Sequence, residues 1–164
     1  MCIRDRKNNV NVNASKIRNR KTEIFSSFIM KNKQKLRKSV NEIINFTKIN
    51  NIKLALATST TINNVEAVFK SLSDQISNED FHFIGNRSLV KNEKPNPEIY
   101  KLTLEKLNLE PDNCLAIEDT EESSKSAVSA GIKCIGFPGD YHSDDSFEMC
   151  IKKVKILDQS LFSL

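Results

Sequence analysis

The apolar positions of this chain change period along its length, and the changes mark an alternation of helices and strands. From Lys21 to Met30, Ile24, Phe25, Phe28 and Ile29 recur at helical spacing and predict a short amphipathic helix. Lys31–Lys38 is a charged connector. Ser39 stands as an N-cap before Val40, Ile43, Ile44 and Phe46, a second helix that ends near Asn50 and Asn51. Ile52–Ala57 (IKLALA) reads differently, as a short apolar run of the kind a strand buried on both faces carries. Similar runs are Phe81–Ile84, Cys114–Ile117 (CLAI), Ile132–Phe137 (IKCIGF) and Val154–Leu157 (VKIL). Helical spacing returns between them. It appears at Val65, Val68, Phe69 and Leu72, then at Ile99, Tyr100, Leu102 and Leu107 behind Pro95 and Pro97. A last helix is expected over Glu121–Ala130, stopped by Gly131 as a C-terminal cap.

Strands alternating with helices predict an α/β fold. With right-handed crossovers it becomes a Rossmann-like three-layer α/β/α sandwich around a mostly parallel sheet. Composition adds little to that picture but excludes several classes. A chain of 164 residues holds one domain with a real core, and 38% hydrophobic with 28% charged residues fits a soluble protein. No apolar run approaches the roughly 20 residues of a membrane helix, so no membrane partner is expected. The opening MCIRDRKNNVNVN has no apolar stretch of the secretory kind. The net charge of +4 is concentrated in the first quarter, at residues such as Arg18, Arg20, Lys31, Lys33 and Arg37. No aromatic platform or nucleic-acid motif accompanies it, so a solvated surface is expected and no nucleic-acid partner. Four cysteines without C-x-x-C or zinc-ligand spacing argue against zinc, and Cys114 and Cys134 are expected as reduced core thiols. That points to a cytoplasmic compartment, with a plastid as the alternative.

In a parallel α/β sheet ligands bind beyond the carboxyl ends of the strands, and three polar clusters fall there. Thr58 and Ser59 follow IKLALA and offer hydroxyls and helix-start amides to phosphate oxygens. Lys94, in the loop after Phe81–Ile84, supplies a point charge for phosphoryl oxygens. Glu118 and Asp119 follow CLAI as adjacent carboxylates, whose mutual repulsion a hard cation such as Mg²⁺ would relieve. Each cluster alone also reads as an N-cap or a surface residue. Their order along the chain is the specific signal. His82 reads as packing within a strand. His142, with Asp140, Asp144 and Asp145 in GDYHSDDSF, reads as a polar loop.

That order resembles the second, third and fourth motifs of the haloacid dehalogenase superfamily. KPNPEIY (Lys94–Tyr100) is similar to the family's K-P-x-P-[DE]-I-[YF], and AIEDTEESSKSAVSAGI (Ala116–Ile132) to its hhEDS…AA…AG stretch. RKTEIF (Arg20–Phe25) and LALATSTTINNVEA (Leu54–Ala67) resemble the branch of β-phosphoglucomutase and the CbbY-like sugar-bisphosphate phosphatases, leaning to the latter. The resemblance implies a Mg²⁺-dependent phosphohydrolase of a small phosphorylated metabolite, a sugar phosphate or bisphosphate, working through a phospho-aspartyl intermediate as a monomer. It gives Thr58 the phosphoryl group and Lys94 the nucleophile and transferring phosphate. Asp119 would bind Mg²⁺, with Glu118 as second ligand or as the partner of Lys94. Lys21 and Thr22 match a stretch of the helical cap where substrate contacts occur, and Ser59 and Asn64 would add contacts in the loop after the strand.

Three departures go with the resemblance. The family's N-terminal strand ending in D-x-D, whose first Asp is the nucleophile, has no counterpart in this sequence, and most of the cap is absent as well. Ser123 stands where Gly is usual, and Asn86 where Asp is common. The expectation is an N-terminally truncated chain that is inactive and poorly stable alone. Residues 1–15 would be a disordered or non-native tail, residues 16–38 a cap remnant and hinge, and residues 39–164 the core domain. A non-catalytic phosphate-binding or interaction module is the alternative. A receiver-like signalling domain fits less well, since there the acidic pair comes first and the lysine last.

Overall fold

A computed structural model describes residues 13–163 of the chain. The expected tail therefore lies outside the described residues as far as residue 12, while Ala14 and Ser15 already belong to the first helix. Helix α1 (Ala14–Lys31) is longer than its apolar pattern predicts, because Asn13 accepts a hydrogen bond from Lys16 N and caps it. It turns Thr22, Ser26 and Ile29 inward, whereas Ile24, Phe25 and Phe28 are exposed. Of the expected apolar face, only Ile29 packs inward.

Helix α2 (Val40–Ile49) buries Ile43, Ile44 and Thr47 at one-turn spacing. Ser39 does precede it, but in the left-handed region (φ 73°) and without a side-chain cap. Its hydroxyl instead donates to Lys38 O and accepts from Leu157 N at 2.8 Å, a tie across most of the chain. Strand β1 (Ala55–Ala57) is shorter than the IKLALA run, since Ile52 N still donates to Thr47 O of α2. Helix α3 (Ile62–Ser71), strand β2 (Phe83–Gly85), helix α4 (Glu98–Leu107), strand β3 (Leu115–Glu118), helix α5 (Glu121–Ser129) and strand β4 (Lys133–Gly136) follow in alternation. Gly131 ends α5 at φ 87°, and its amide donates to Val128 O. The last strand, β5, is Lys152–Lys153 rather than Val154–Leu157. Leu157 is held by Ser39 and packs against α2, which takes it out of the ladder.

All strand pairs are parallel. β1 pairs with β2, and β3 with β4 and β4 with β5. Helices cover two faces. Ile43 of α2 meets Ile135 and Phe137 on one, and Ile99 and Tyr100 of α4 with Ala127 of α5 meet Ala116 and Cys134 on the other. The chain is thus the Rossmann-like α/β sandwich expected. The sheet is in two pieces, and no ladder joins β1 to β3 among the described residues. Between them lies a cleft of about 1160 Å³. No helix among the described residues is long and apolar enough to cross a membrane.

Candidate active site

The carboxyl ends of β1 and β3 stand on either side of the cleft, and Lys94 joins them. Its side chain is 7% exposed, and its ammonium donates to Ala57 O at 3.0 Å, at the end of β1, and to the Glu118 carboxylate, at the end of β3. The Lys94–Pro95 peptide bond is cis. Glu118 is equally buried and accepts a second bond on the same oxygen from the Tyr100 hydroxyl. Burial and the adjacent Glu118 carboxylate push the Tyr100 phenol well above its ordinary range, so it remains a donor. The Lys94 ammonium also lies 4.9 Å from the centre of the Tyr100 ring. Tyr100 is a site residue that periodicity places only in the core. The available signal was chemical, since a buried tyrosine hydroxyl needs a partner and the acidic pair was the obvious candidate.

Asp119 is the next residue along, exposed at the mouth of the same cleft. Thr58, Ser59 and Lys21 line it too. Thr58 Oγ1 accepts from Thr60 N at 3.2 Å, a local turn that holds the loop open at the end of β1. The Ser59 hydroxyl is buried with no hydrogen-bond partner among the described residues, a donor that a ligand oxygen could satisfy. Asn64 is turned elsewhere. It donates to Thr60 Oγ1 at 2.8 Å and accepts from Ser26 of α1 at 3.1 Å, so it fastens α1 to α3. Thr22 lies on the partly buried side of α1 and does not line the cleft. The convergence therefore includes Thr58, Ser59, Lys94, Glu118, Asp119 and Lys21, and leaves Thr22 and Asn64 in a supporting position.

Beside the mouth, Glu121 at the start of α5 accepts from Ser146 Oγ (2.6 Å) and Phe147 N (2.9 Å), which hold its carboxyl below the usual range. This ties down the loop containing His142, whose ring lies 2.8 Å from Asp145. Neither histidine reaches the Lys94 cluster. Asn86 caps a short turn by accepting from Ser88 N at 3.0 Å, a task that the aspartate usual at this position would also perform.

Can these residues hold Mg²⁺? Glu118 is committed to Lys94 and Tyr100, which favours its role as lysine partner. Among the described residues no three acidic, histidine or cysteine side chains gather as a metal cage. Mg²⁺ commonly binds through one or two carboxylates with phosphate and water completing the shell, and Asp119 fits that partial donor set. What the arrangement offers is one buried ammonium, one accessible carboxylate and a hydroxyl-rich loop facing the same space.

A haloacid dehalogenase-like hydrolase family model matches residues 4–137. Over 127 residues the chain is 34% identical to protein CbbY of Cereibacter sphaeroides, covering 77% of this chain and 55% of that protein. It is 37% identical over 120 residues to a phosphorylated carbohydrates phosphatase of Thermotoga maritima, covering 73% and 52%. A crystal structure of a CbbY variant from Rhodobacter sphaeroides with xylulose-(1,5)bisphosphate superposes with a TM-score of 0.81 at 30% identity, over 88% of this chain and 64% of that one. The chain spans about half the length of the curated relatives it matches.

Proposed function

The chain belongs to the haloacid dehalogenase-like hydrolases, and we propose that it forms the phosphate-handling core of a Mg²⁺-dependent phosphohydrolase for a small sugar phosphate or bisphosphate. The observation that carries this reading is the meeting of Thr58, Lys94 and Asp119 at one mouth, although they lie far apart in the chain. Similarity to a phosphatase of phosphorylated carbohydrates, and to a CbbY structure holding a sugar bisphosphate, supports the substrate class.

In this reading the phosphoryl group sits at the mouth with its oxygens toward the Thr58–Ser59 loop. The Lys94 ammonium, held by Glu118 and Ala57 O, is fixed where negative charge accumulates in the transition state, with no reorganisation required. Tyr100 keeps the Glu118 carboxylate in place. Asp119 would hold Mg²⁺, which supplies further positive charge against the phosphoryl oxygens. Lys21 reaches the pocket from α1, toward the sugar end of the substrate. Transfer runs through a phospho-aspartyl intermediate on a carboxylate that these residues do not carry, since the sequence has no D-x-D. Alone, the chain is inactive. It works as a monomer in the cytoplasm.

The missing D-x-D also favours a second reading, a phosphate-binding module without turnover. One experiment separates the two. The 164-residue chain and a fusion carrying an upstream apolar strand ending in D-x-D are assayed on p-nitrophenyl phosphate and sugar bisphosphates. The expected result is Mg²⁺-dependent phosphate release by the fusion only, reduced about 10²–10³-fold in Asp119→Asn. A folded fusion without turnover leaves the binding module. Activity of the unfused chain, lost in Asp119→Asn, would show that the attacking group lies within these residues.

A further inference from the structure

Two cysteines that do not line the cleft meet on the α4–α5 side of β4. Cys134, within β4, is fully buried in the cluster of Ile99, Tyr100, Ala116 and Ala127. Cys150, at the far end of the loop that leaves β4, packs against the same cluster and is only partly buried. Burial and then the neighbouring Cys150 thiol, to which it is hydrogen-bonded, push the Cys134 thiol far above its ordinary range. Cys114 also lies beside this cluster, but burial alone raises its thiol. All three are free thiols.

The path of the chain builds this meeting. Gly136 has no side chain, so the Phe147 ring lies against β4, where a Cβ would stand 2.6 Å from it. Cys150 N donates to Phe147 O at 2.9 Å and closes a turn. Ile151 N then donates to Cys134 O at 2.9 Å and opens the parallel pairing of β4 with β5, in which Ile135 faces Lys152. Cys150 thus stands one residue before the residue that faces Cys134. A strand spacing of about 4.8 Å and a rise of about 3.3 Å put such diagonal neighbours roughly 6 Å apart, inside the Cα span of about 4.4–6.8 Å that a disulfide bridges. The loop between the two cysteines is the one that Glu121 holds through Ser146 and Phe147.

We propose that Cys134 and Cys150 form a dithiol modification site, which a low-molecular-weight disulfide of the glutathione type oxidises to an intramolecular disulfide. Exposure sets the order of events. The Cys150 sulfur, which solvent reaches, attacks one sulfur of the reagent, forms a mixed disulfide and releases the first small thiol. The Cys134 sulfur then attacks the Cys150 sulfur, breaks the mixed bond and releases the second small thiol. Two protein thiols give up two electrons and two protons, and the reagent disulfide leaves as two thiols. Excess small thiol reverses both steps. Burial keeps Cys134 from meeting the reagent directly, so it reacts only with its neighbour. The site is independent of the phosphatase chemistry and is tested without turnover.

The full 164-residue chain is equilibrated in a glutathione redox buffer, then unfolded, alkylated and digested with trypsin. Cleavage after Lys133 and Lys152 leaves both cysteines in one peptide. That peptide should be lighter by two hydrogen atoms and closed to alkylation, and dithiothreitol should restore it. Its ratio of disulfide to dithiol should be about 10-fold or more above that of the chain equilibrated in urea, because the fold holds the thiols together. In Cys134→Ala, glutathione should remain on Cys150 as a mixed disulfide, and in Cys150→Ala the Cys134 thiol should stay unmodified. A ratio no higher than in urea overturns the proposal. So does a bond from Cys150 to Cys114, or glutathione on Cys134 in Cys150→Ala. Where a variant fails to fold, the peptide from the unsubstituted chain decides.

Discussion

Strands β1 and β4 have much the same apolar sequence character and very different surroundings. Cys134 and Ile135 of β4 are fully buried, with β3 and β5 at its two edges and helices on both faces. Ala55, Leu56 and Ala57 of β1 are only partly buried, with β2 on one side and the cleft on the other. A parallel strand is enclosed by neighbouring strands as much as by helices. Where a neighbour is missing, an apolar run remains half wet. The stability of this chain should accordingly be uneven, high around β4 and lower around β1.

The contact that spans the two pieces should respond most. Lys94→Ala leaves Glu118 buried without its cation, and the expected loss is about 3–5 kcal/mol in urea unfolding. Changing both, Lys94→Met with Glu118→Gln, should recover much of that loss. If the single change is neutral, the two pieces are not coupled through this pair. Next come the strands themselves. Ile135→Ala should cost about 3–4 kcal/mol and Leu56→Ala about half as much, because Leu56 is already partly hydrated. Equal costs would erase the contrast between β1 and β4.

Glycines sharpen it further. A Cβ at Gly136 would lie 2.6 Å from the Phe147 ring, a buried residue held at φ 53° that cannot withdraw easily. At Gly85 of β2 the nearest atom is the far end of Ile99, at 2.9 Å. Gly136→Ala should cost about 2–3 kcal/mol and Gly85→Ala about 1 kcal/mol by thermal unfolding. The smallest effect lies at the edge of the β1–β2 piece. A hydrogen bond from Lys48, then one from Ser77 N, hold the Asp80 carboxyl below its ordinary 3.8. Its folded form binds a proton less readily than the unfolded chain, so its contribution is complete above 3.8 and disappears as pH falls through the lower folded value. Half of the Lys48 side chain is in water, so an acid titration of Asp80→Asn should differ from the parent by about 0.5–1 kcal/mol, and only above that window.

Much of this was legible in the sequence, and the failures have physical causes. Strand and helix identities follow from period, the gathering of Thr58, Lys94 and Asp119 follows from strand ends in a parallel sheet, and the pairing of Lys94 with Glu118 is one of the two roles that the family resemblance implies for Glu118. The partner of Ser39 was not legible, because Leu157 lies 118 residues away and a serine before a helix has an obvious local use. Hydrophobicity alone selects Ile24, Phe25, Phe28 and Ile29 as the packing side of α1, of which only Ile29 packs, because the bond from Ser26 to Asn64 sets the orientation. Nor does a strand's composition reveal which edge is paired. The resemblance implies a gap in the middle of the sheet, where the family's first strand lies, and the ladders identify β1 and β3 as its two edges.

The burial of Lys94 also bears on how the protein can be handled at the bench. Acylating reagents need a solvent-accessible amine that is not held by a partner, and the exposed Lys35 offers one, whereas the side chain of Lys94, 7% exposed and doubly bonded, does not. The chain can therefore be biotinylated or fixed to a sensor surface through its outer lysines while the ammonium between the two pieces of sheet stays untouched.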